Sequence, residues 1–295
     1  MESAWYRRSN DILPTSLTPD QIIYTPVKNV YKLGYGGKLD IERENAIMVD
    51  FYEKDTNEHS KVLVRRGKNK NISVELHNQQ LGEKLRNLVN PFSVYVPGLA
   101  GIPRDEEFRS PGILTRAAAR GDANNFFRNI LYQIKSDDAK WKKFIKDFQS
   151  IFPNVNIKVD FDFARDVHID ASVQIDKDIY PIDAAGTGIL QTIQILAYLN
   201  LYEPKLLILD EPDSHLHPNN QRLLAEKLHE LATENEFQIL LSTHSRHLLY
   251  NFEEIAKINW VNNGKIIEED INIINVLVDL GALDKGDFLK DDNVK

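Results

Sequence analysis

The chain has 295 residues, 42% of them hydrophobic, with 36 Lys+Arg against 44 Asp+Glu and a formal net charge of −8. At about 150 residues per domain that is one large or two small domains. The absence of cysteine excludes a disulfide framework, a thiolate zinc site and a cysteine nucleophile, and the acidic balance argues against nucleic-acid binding over the whole surface.

The opening stretch MESAWYRRSND lacks the apolar core of a signal peptide. Residues 1–40 read as irregular, punctuated by Pro14, Pro19 and Pro26, with a turn at Gly34-Tyr35-Gly36-Gly37-Lys38. Ala46–Tyr52, Lys61–Arg66 and Ile72–Leu76 read as strands, the last two joined by the turn Gly67–Asn71. Leu81–Leu88 reads as a short helix, and Phe92–Val96 as a strand stopped by Pro97-Gly98. From Gly112 to about Ile151 apolar residues recur at helical spacing, with Phe126, Phe127, Ile130, Leu131 and Ile134 on one helix and Trp141, Phe144, Ile145 and Phe148 on the next. Asp137 and Asp138 stand between the two as a cap.

Val155–Asp162 and His168–Ile175 alternate, as an antiparallel pair does. The pattern then changes to helix at Ile189–Leu199, strand at Leu206–Leu209, helix at Asn219–Thr233 and strand at Ile239–Leu241. Aliphatic runs without alternation, separated by helices, predict a parallel sheet covered on both faces. The apolar window Ile189–Leu201 carries Gln191, Gln194 and Asn200 and is too short to span a bilayer. A soluble cytoplasmic protein that does not engage membranes is therefore expected. Ala256–Val261 and Lys265–Glu268, joined through Asn263-Gly264, read as a hairpin.

The chemistry concentrates at Lys205-Leu-Leu-Ile-Leu-Asp210-Glu211-Pro212. A buried parallel strand delivers two carboxylates at its C-terminal end, where open α/β sheets bind ligands. Asp210 suits Mg²⁺, a hard cation that prefers oxygen. Glu211 suits orientation of an attacking water. A core strand ending in a solvated acidic turn is the competing reading of these acids alone. Three companions strengthen the functional one. Gly186-Thr187-Gly188 precedes a helix bearing Gln191, and such a turn presents N–H groups and a partial positive charge to phosphate. A second buried strand ends in Thr243-His244-Ser245. Asp213-Ser214-His215-Leu216-His217-Pro218 follows the acids directly, its proline opening the next helix. The set falls within about 60 residues.

In this order the sequence resembles the C-terminal lobe of an ABC-class ATPase, of the RecF/SMC and overcoming-lysogenisation-defect (OLD) branch. Asp210-Glu211 resembles the Walker B acids, Ala185–Gln191 the signature motif, Asp213–Pro218 the D-loop and His244 the switch histidine. The likeness is strongest over residues 180–261 and looser at Val94–Gly101 and Ala119–Asn125. It implies an α/β fold with a helix-covered parallel sheet, an antiparallel β portion and a helical insert. The corresponding segments are 1–111, a β-rich N-terminal part of the ATPase lobe; 112–152, the insert; and 153–295, the signature, Walker B and switch-histidine part. It further implies ATP and Mg²⁺ as cofactors, with Asp210 on the metal, Glu211 and His244 catalytic, and Gly186, Thr187, Gly188, Gln191 and Asp213 on the nucleotide. The implied assembly is a head-to-tail, nucleotide-bridged homodimer working in DNA transactions or phage defence, with DNA and a nuclease domain or effector protein as further partners.

Two departures qualify the likeness. No GxxxxGK[ST] occurs in the 295 residues, and Gly34–Lys38, followed by Leu39, lacks both its glycine spacing and its hydroxyl. Residue 1 is therefore expected to lie after the usual place of the P-loop, and this chain alone is expected to hydrolyse ATP poorly or not at all. A non-catalytic dimerisation or scaffold module is the alternative function. In OLD-like proteins a TOPRIM nuclease follows the ATPase. Gly281-Ala282-Leu283-Asp284 resembles the join, but no acidic TOPRIM cluster follows. Elsewhere, His215 and His217 lack an evident third metal ligand. Arg65–Lys70 reads first as a solvated hairpin tip and secondarily as a DNA phosphate contact. The lysines around Trp141 read as the polar face of an amphipathic helix, and Arg116 and Arg120 are left undecided.

Overall fold

The computed structural model describes residues 12–22, 27–53, 56–85, 87, 91–99, 101–119, 121–267, 276–278 and 281. The expectations resting on residues 1–11, Ala100, Arg120 and Ala282–Asp284 lie outside these residues. The chain divides into two compact units, Met1–Ser93 with Thr115–Asp122, and Val94–Leu114 with Ala123–Lys295. Most of the expected helical insert, from residue 123 onward, belongs to the second unit.

The first unit is built on an antiparallel sheet of β1 (Ile12–Leu17), β2 (Ile47–Glu53), β3 (Glu58–Arg66) and β4 (Ile72–His77), in the order β1-β4-β3-β2. The three strands expected between residues 46 and 76 are present. The Gly67–Asn71 turn closes with Gly67 N donating to Asn71 O at 2.6 Å. The expectation that residues 1–40 are irregular is corrected by β1, which pairs with β4 from Ile12↔His77 to Leu17↔Ile72. Pro14 falls on an edge strand, which has a neighbour on one side only and is where sheets tolerate proline. Val30, Leu39 and Ile72 form the buried centre, with Ile47, Val64 and Val74 packed against it. Gly34–Lys38 is a tight turn, as read, with Gly36 at φ 68° and Gly37 at φ 76°. The short helix α1 (Gln79–Leu85) follows β4.

The second unit contains the mixed α/β architecture. It takes in β5 (Ser93–Val96), the start of α2 (Pro111–Ala119), α3 (Phe127–Lys135) and α4 (Asp138–Gln149). Asp137 caps α4, accepting from Ala139 N and Lys140 N. The antiparallel pair is β6 (Val155–Asp160) with β7 (Asp170–Ile175), and a third strand, β8 (Asp178–Pro181), extends it. β8 is exposed at every residue, so it carries no burial pattern that the sequence could reveal.

Next come α5 (Thr187–Tyr202), β9 (Leu206–Asp210), α6 (Pro218–Glu234), β10 (Gln238–Ser242) and α7 (Arg246–Phe252). Thirteen of the sixteen residues of α5 are buried, which explains why its apolar residues run all round the helix. α3 and α4 pack on α5 and on β6, and α7 packs on α6. β9 and β10 pair in parallel, from Leu206↔Gln238 to Asp210↔Ser242, and the sheet order is β10-β9-β5. Leu207 and Leu209 are buried on one face together with Val94 and Val96 of β5. Coverage of both faces is corrected for β10: Gln238, Leu240 and Ser242 are exposed, Leu240 by 59%. β10 is an edge strand among the described residues, and its outward side chains meet water although its centre, Ile239–Leu241, is uniformly apolar. The hairpin β11 (Trp260–Asn262) and β12 (Lys265–Ile267) turns through Asn263 at φ 49° and Gly264 at φ 73°, a pair that favours the two-residue turn expected. Among the described residues no helix is long and apolar enough to cross a membrane.

Candidate functional site

The site lies at the C-terminal ends of β9 and β10. Their register sets Asp210 opposite Ser242, and Ser242 Oγ donates to Asp210 Oδ1 at 2.6 Å. From β5, Tyr95 donates its hydroxyl to Asp210 Oδ2 at 3.4 Å. Hydroxyls from both flanking strands thus fix the carboxylate while leaving lone pairs on each oxygen. That donor chemistry fits a Mg²⁺ held through one carboxylate, water and substrate phosphate. Among the described residues no group of three or more His, Asp or Glu stands together as metal ligands.

Glu211 continues the ladder by donating its N–H to Ser242 O at 3.1 Å, and then turns the chain at φ 44°. A non-glycine residue in the left-handed region costs of order 1–3 kcal/mol and is held only where its surroundings impose it. Its carboxylate has two partners: His244 Nε2 lies 3.2 Å from Oε1, and Ser214 Oγ donates to Oε2 at 3.3 Å. His244 is 72% exposed and Glu211 47%, so the pair adds little stability and its effect is orientation.

Asp213 behaves differently. It is 9% exposed, and Thr243 Oγ1 donates to its Oδ1 at 2.7 Å. Burial pushes its carboxyl above the usual range, against the hydrogen bond from Thr243. The turn after Glu211 is held by Gln221, whose Nε2 donates to Asp213 O at 3.2 Å and to Leu216 O at 3.0 Å. Ser245 Oγ in turn donates to Gln221 Oε1 at 2.7 Å. His217 is used as the N-cap of α6, accepting from Asn219 N through Nδ1, with Pro218 as the first helical residue.

Gly186 is the N-cap of α5. Gly186 and Thr187 are exposed, and the first-turn amides of a helix have no partner within it, so this turn can receive an anion. Gly188 is buried, and a Cβ on it would stand 2.8 Å from His215 O. Gln191 is 2% exposed. Its Oε1 accepts from Leu99 N at 2.7 Å, while its Nε2 is buried with no hydrogen-bond partner among the described residues. Leu99 follows Gly98, whose own Cβ position lies 3.6 Å from Asp210 O. Gln191 therefore faces the segment after β5 and does not reach solvent.

The structure thus brings Asp210, Glu211, Asp213 and His244 together, and sets Gly188 against the same turn. Tyr95, Ser242, Thr243, Ser214 and Gln221 complete the cluster and were given no role from sequence. The Ser242-Thr243-His244-Ser245 run at the end of the second buried strand was the available signal for Ser242 and Thr243.

Residues 68–249, more than half the chain, match the model of the AAA ATPase domain family. The chain belongs to that family. This AAA ATPase domain is also 24% identical over 127 residues to the probable ABC transporter ATP-binding protein p29 of Mesomycoplasma hyorhinis, aligning 43% of this chain with 42% of that protein. It therefore spans about two-fifths of the length of that curated relative. Among solved structures it is similar to the SMC head domain from Thermotoga maritima, at 12% identity over 77% of this chain and 74% of that one, with a TM-score of 0.44. The SmcHead bound to the C-winged helix domain of ScpA aligns at 14% identity over 70% and 68%, with a TM-score of 0.48. The Smc head domain with a coiled coil and joint from Pyrococcus yayanosii aligns at 18% identity over 50% and 29%, with a TM-score of 0.40.

Proposed function

We propose that this AAA ATPase domain is the signature, Walker B and switch-histidine part of an ABC-class ATPase of the OLD-like branch. It works in the cytoplasm as a head-to-tail dimer bridged by nucleotide, in DNA transactions or phage defence, beside a nuclease domain or effector. The observation that carries this reading is the meeting of Asp210, Glu211 and His244 at the ends of two paired parallel strands.

In this reading Asp210 holds Mg²⁺, which neutralises phosphate charge when bound. Glu211, held by His244 and Ser214, orients the water that attacks the γ-phosphate. His244, being exposed, reaches the γ-phosphate. Gly186, Thr187 and Gly188 offer the α5 N-terminus to a phosphate bound by the partner subunit, while Gln191 and Asp213 support that turn and its neighbour from behind.

The 295 residues hold no GxxxxGK[ST], so this chemistry requires a phosphate-binding loop from outside them. The same observation favours a second reading, a dimerisation or scaffold module without turnover. ATP titration by calorimetry on the 295-residue chain with Mg²⁺ tests the dependence on that loop. Weak or undetectable binding is expected, restored when a GxxxxGK[ST]-bearing segment is supplied. Tight, saturable binding by the chain alone would overturn it, and binding without hydrolysis after restoration would favour the scaffold.

A further inference from the structure

We propose that the second unit carries a self-complementary docking pair. Phe163, flanked by Asp162 and Asp166, seats in the outer groove of α4 of a second copy, between Lys142 and Lys146. The contact uses neither nucleotide nor the Asp210–Glu211 end of the sheet, so it stands apart from the function proposed above.

The first half of the pair is an exposed aromatic side chain that is already held in place. Phe163 follows β6 and is 67% exposed. Three rings support it from behind: Phe108 and Phe161, each with its centroid 4.9 Å away, and Tyr132 at 6.3 Å. The segment that carries it is a closed turn. Asp166 N and Arg165 N donate to Asp162 O at 2.8 and 3.0 Å, Ala164 N donates to Asp162 Oδ1 at 2.9 Å, and Asp162 N donates to Asp166 Oδ2 at 2.7 Å. Phe163 therefore has little freedom left to lose on docking, which suits an aromatic anchor. Val167, 65% exposed, adds apolar surface four residues on. Asp162 and Asp166 are both exposed beside it. Arg165 Nε stands 3.6 Å from Asp162 Oδ2, a solvated pair worth little.

The second half is the face of α4 turned away from its own core. Phe144, Asp147 and Phe148 are buried where α4 packs on α5 and β6. Trp141, Ile145 and Gln149 recur every four residues, and with Lys142, Lys146 and Ser150 they line a groove of about 530 Å³. Lys140 and Lys143 are engaged within the chain, by Glu203 at 3.1 Å and by Asn235 Oδ1 at 3.2 Å. Lys142 and Lys146 are exposed and have no ion-pair or hydrogen-bond partner among the described residues.

The charges select a second copy as the occupant. Acids outnumber Lys and Arg across the second unit, so an extended polyanion meets net repulsion there. A compact acidic turn feels mainly the two lysines within a Debye length of about 8 Å. The Phe163 turn offers that chemistry from the same chain, an apolar anchor between two carboxylates. Each copy carries both halves, so a two-fold pair can make the contact twice.

Sedimentation equilibrium of the 295-residue chain without nucleotide tests the pair. At about 0.05 M salt the mass is expected to rise from monomer toward dimer as the protein reaches about 100 μM, and the association is expected to weaken at about 0.5 M salt. Phe163→Ala and the double variant Lys142→Glu, Lys146→Glu are each expected to weaken self-association by about tenfold or more. Mixed together, these two chains are expected to associate with each other, because the double variant keeps Phe163 and the Phe163→Ala chain keeps its groove. A parental chain that stays monomeric, variants that associate like the parent, or a mixture that associates no better than either variant alone would each overturn the proposal. If a variant fails to fold, the salt series on the parental chain decides. Association as strong at about 0.5 M as at about 0.05 M salt would overturn the docking pair.

Discussion

Ser242 Oγ donates to Asp210 Oδ1 at 2.6 Å, across the last register pair of β9 and β10. The bond fixes the orientation of the carboxylate proposed to hold Mg²⁺. Removing a partner that orients a metal ligand costs about 10–100-fold in metal affinity. In an assembly that includes a GxxxxGK[ST] loop, Ser242→Ala is expected to raise the Mg²⁺ concentration for half-maximal turnover by that factor, with the rate at saturating Mg²⁺ retained. Tyr95→Phe, which removes a longer bond of 3.4 Å, should shift it less. An unchanged Mg²⁺ dependence in Ser242→Ala would remove Asp210 from the metal site.

His244→Ala separates orientation from stability. Its side chain is 72% exposed, so the unfolding free energy from urea titration should stay within about 0.5 kcal/mol of the parent. Glu211 would keep only Ser214 as a partner, and misplacement of a positioning group costs on the order of 10² in rate. A phosphate-release assay should show that loss in the loop-containing assembly. An unchanged rate would leave His244 as a surface residue.

A pH prediction comes from Glu106, which is 4% exposed beneath the start of α3. Its carboxylate accepts from Arg128 N at 3.0 and 2.9 Å and from Asn129 N at 3.1 Å. Burial, the largest influence, raises its pKa above 4.5 despite these bonds. Between the unfolded and folded values the folded state binds more protons, so stability falls as pH rises from 4.5 toward the folded value. Asp147 and Asp213, raised by burial from 3.8, act with the same sign. Glu75 acts oppositely. Burial pushes its pKa up, but Arg65 and Arg43 outweigh that and hold it below 4.5, so its contribution is lost as pH falls. Glu106→Gln should therefore make the decline above pH 4.5 shallower in urea titrations and leave the loss on the acid side in place. Equal slopes for parent and variant above pH 4.5 would contradict this.

The core strand-helix-strand of the site was legible because β9, α6 and β10 carry strong local periodicity and end in Asp210-Glu211 and Thr243-His244-Ser245. The antiparallel strands β6 and β7 alternate, and Asn263-Gly264 announces its turn. What was missed lacks a local signal. β1 contains Pro14 and is specified by its partner β4, about 60 residues away. β8 is four exposed residues. Tyr95 reaches Asp210 across 115 positions of sequence, a closeness that only the sheet order creates. Gly188 resembled a phosphate-binding glycine, and its contact with His215 became visible only once the turn was folded against α5.

The most direct test of the account is Glu211→Gln in an assembly that contains a GxxxxGK[ST] loop, read by steady-state phosphate release together with retention of ATP. The amide keeps the volume and can still bond His244 or Ser214, but it is a far poorer proton acceptor. Loss of a positioned general base costs about 10²–10⁴ in rate, so hydrolysis should fall by that factor while ATP stays bound and the nucleotide-bridged dimer accumulates. Hydrolysis at the parental rate in that variant would contradict the role given to Glu211.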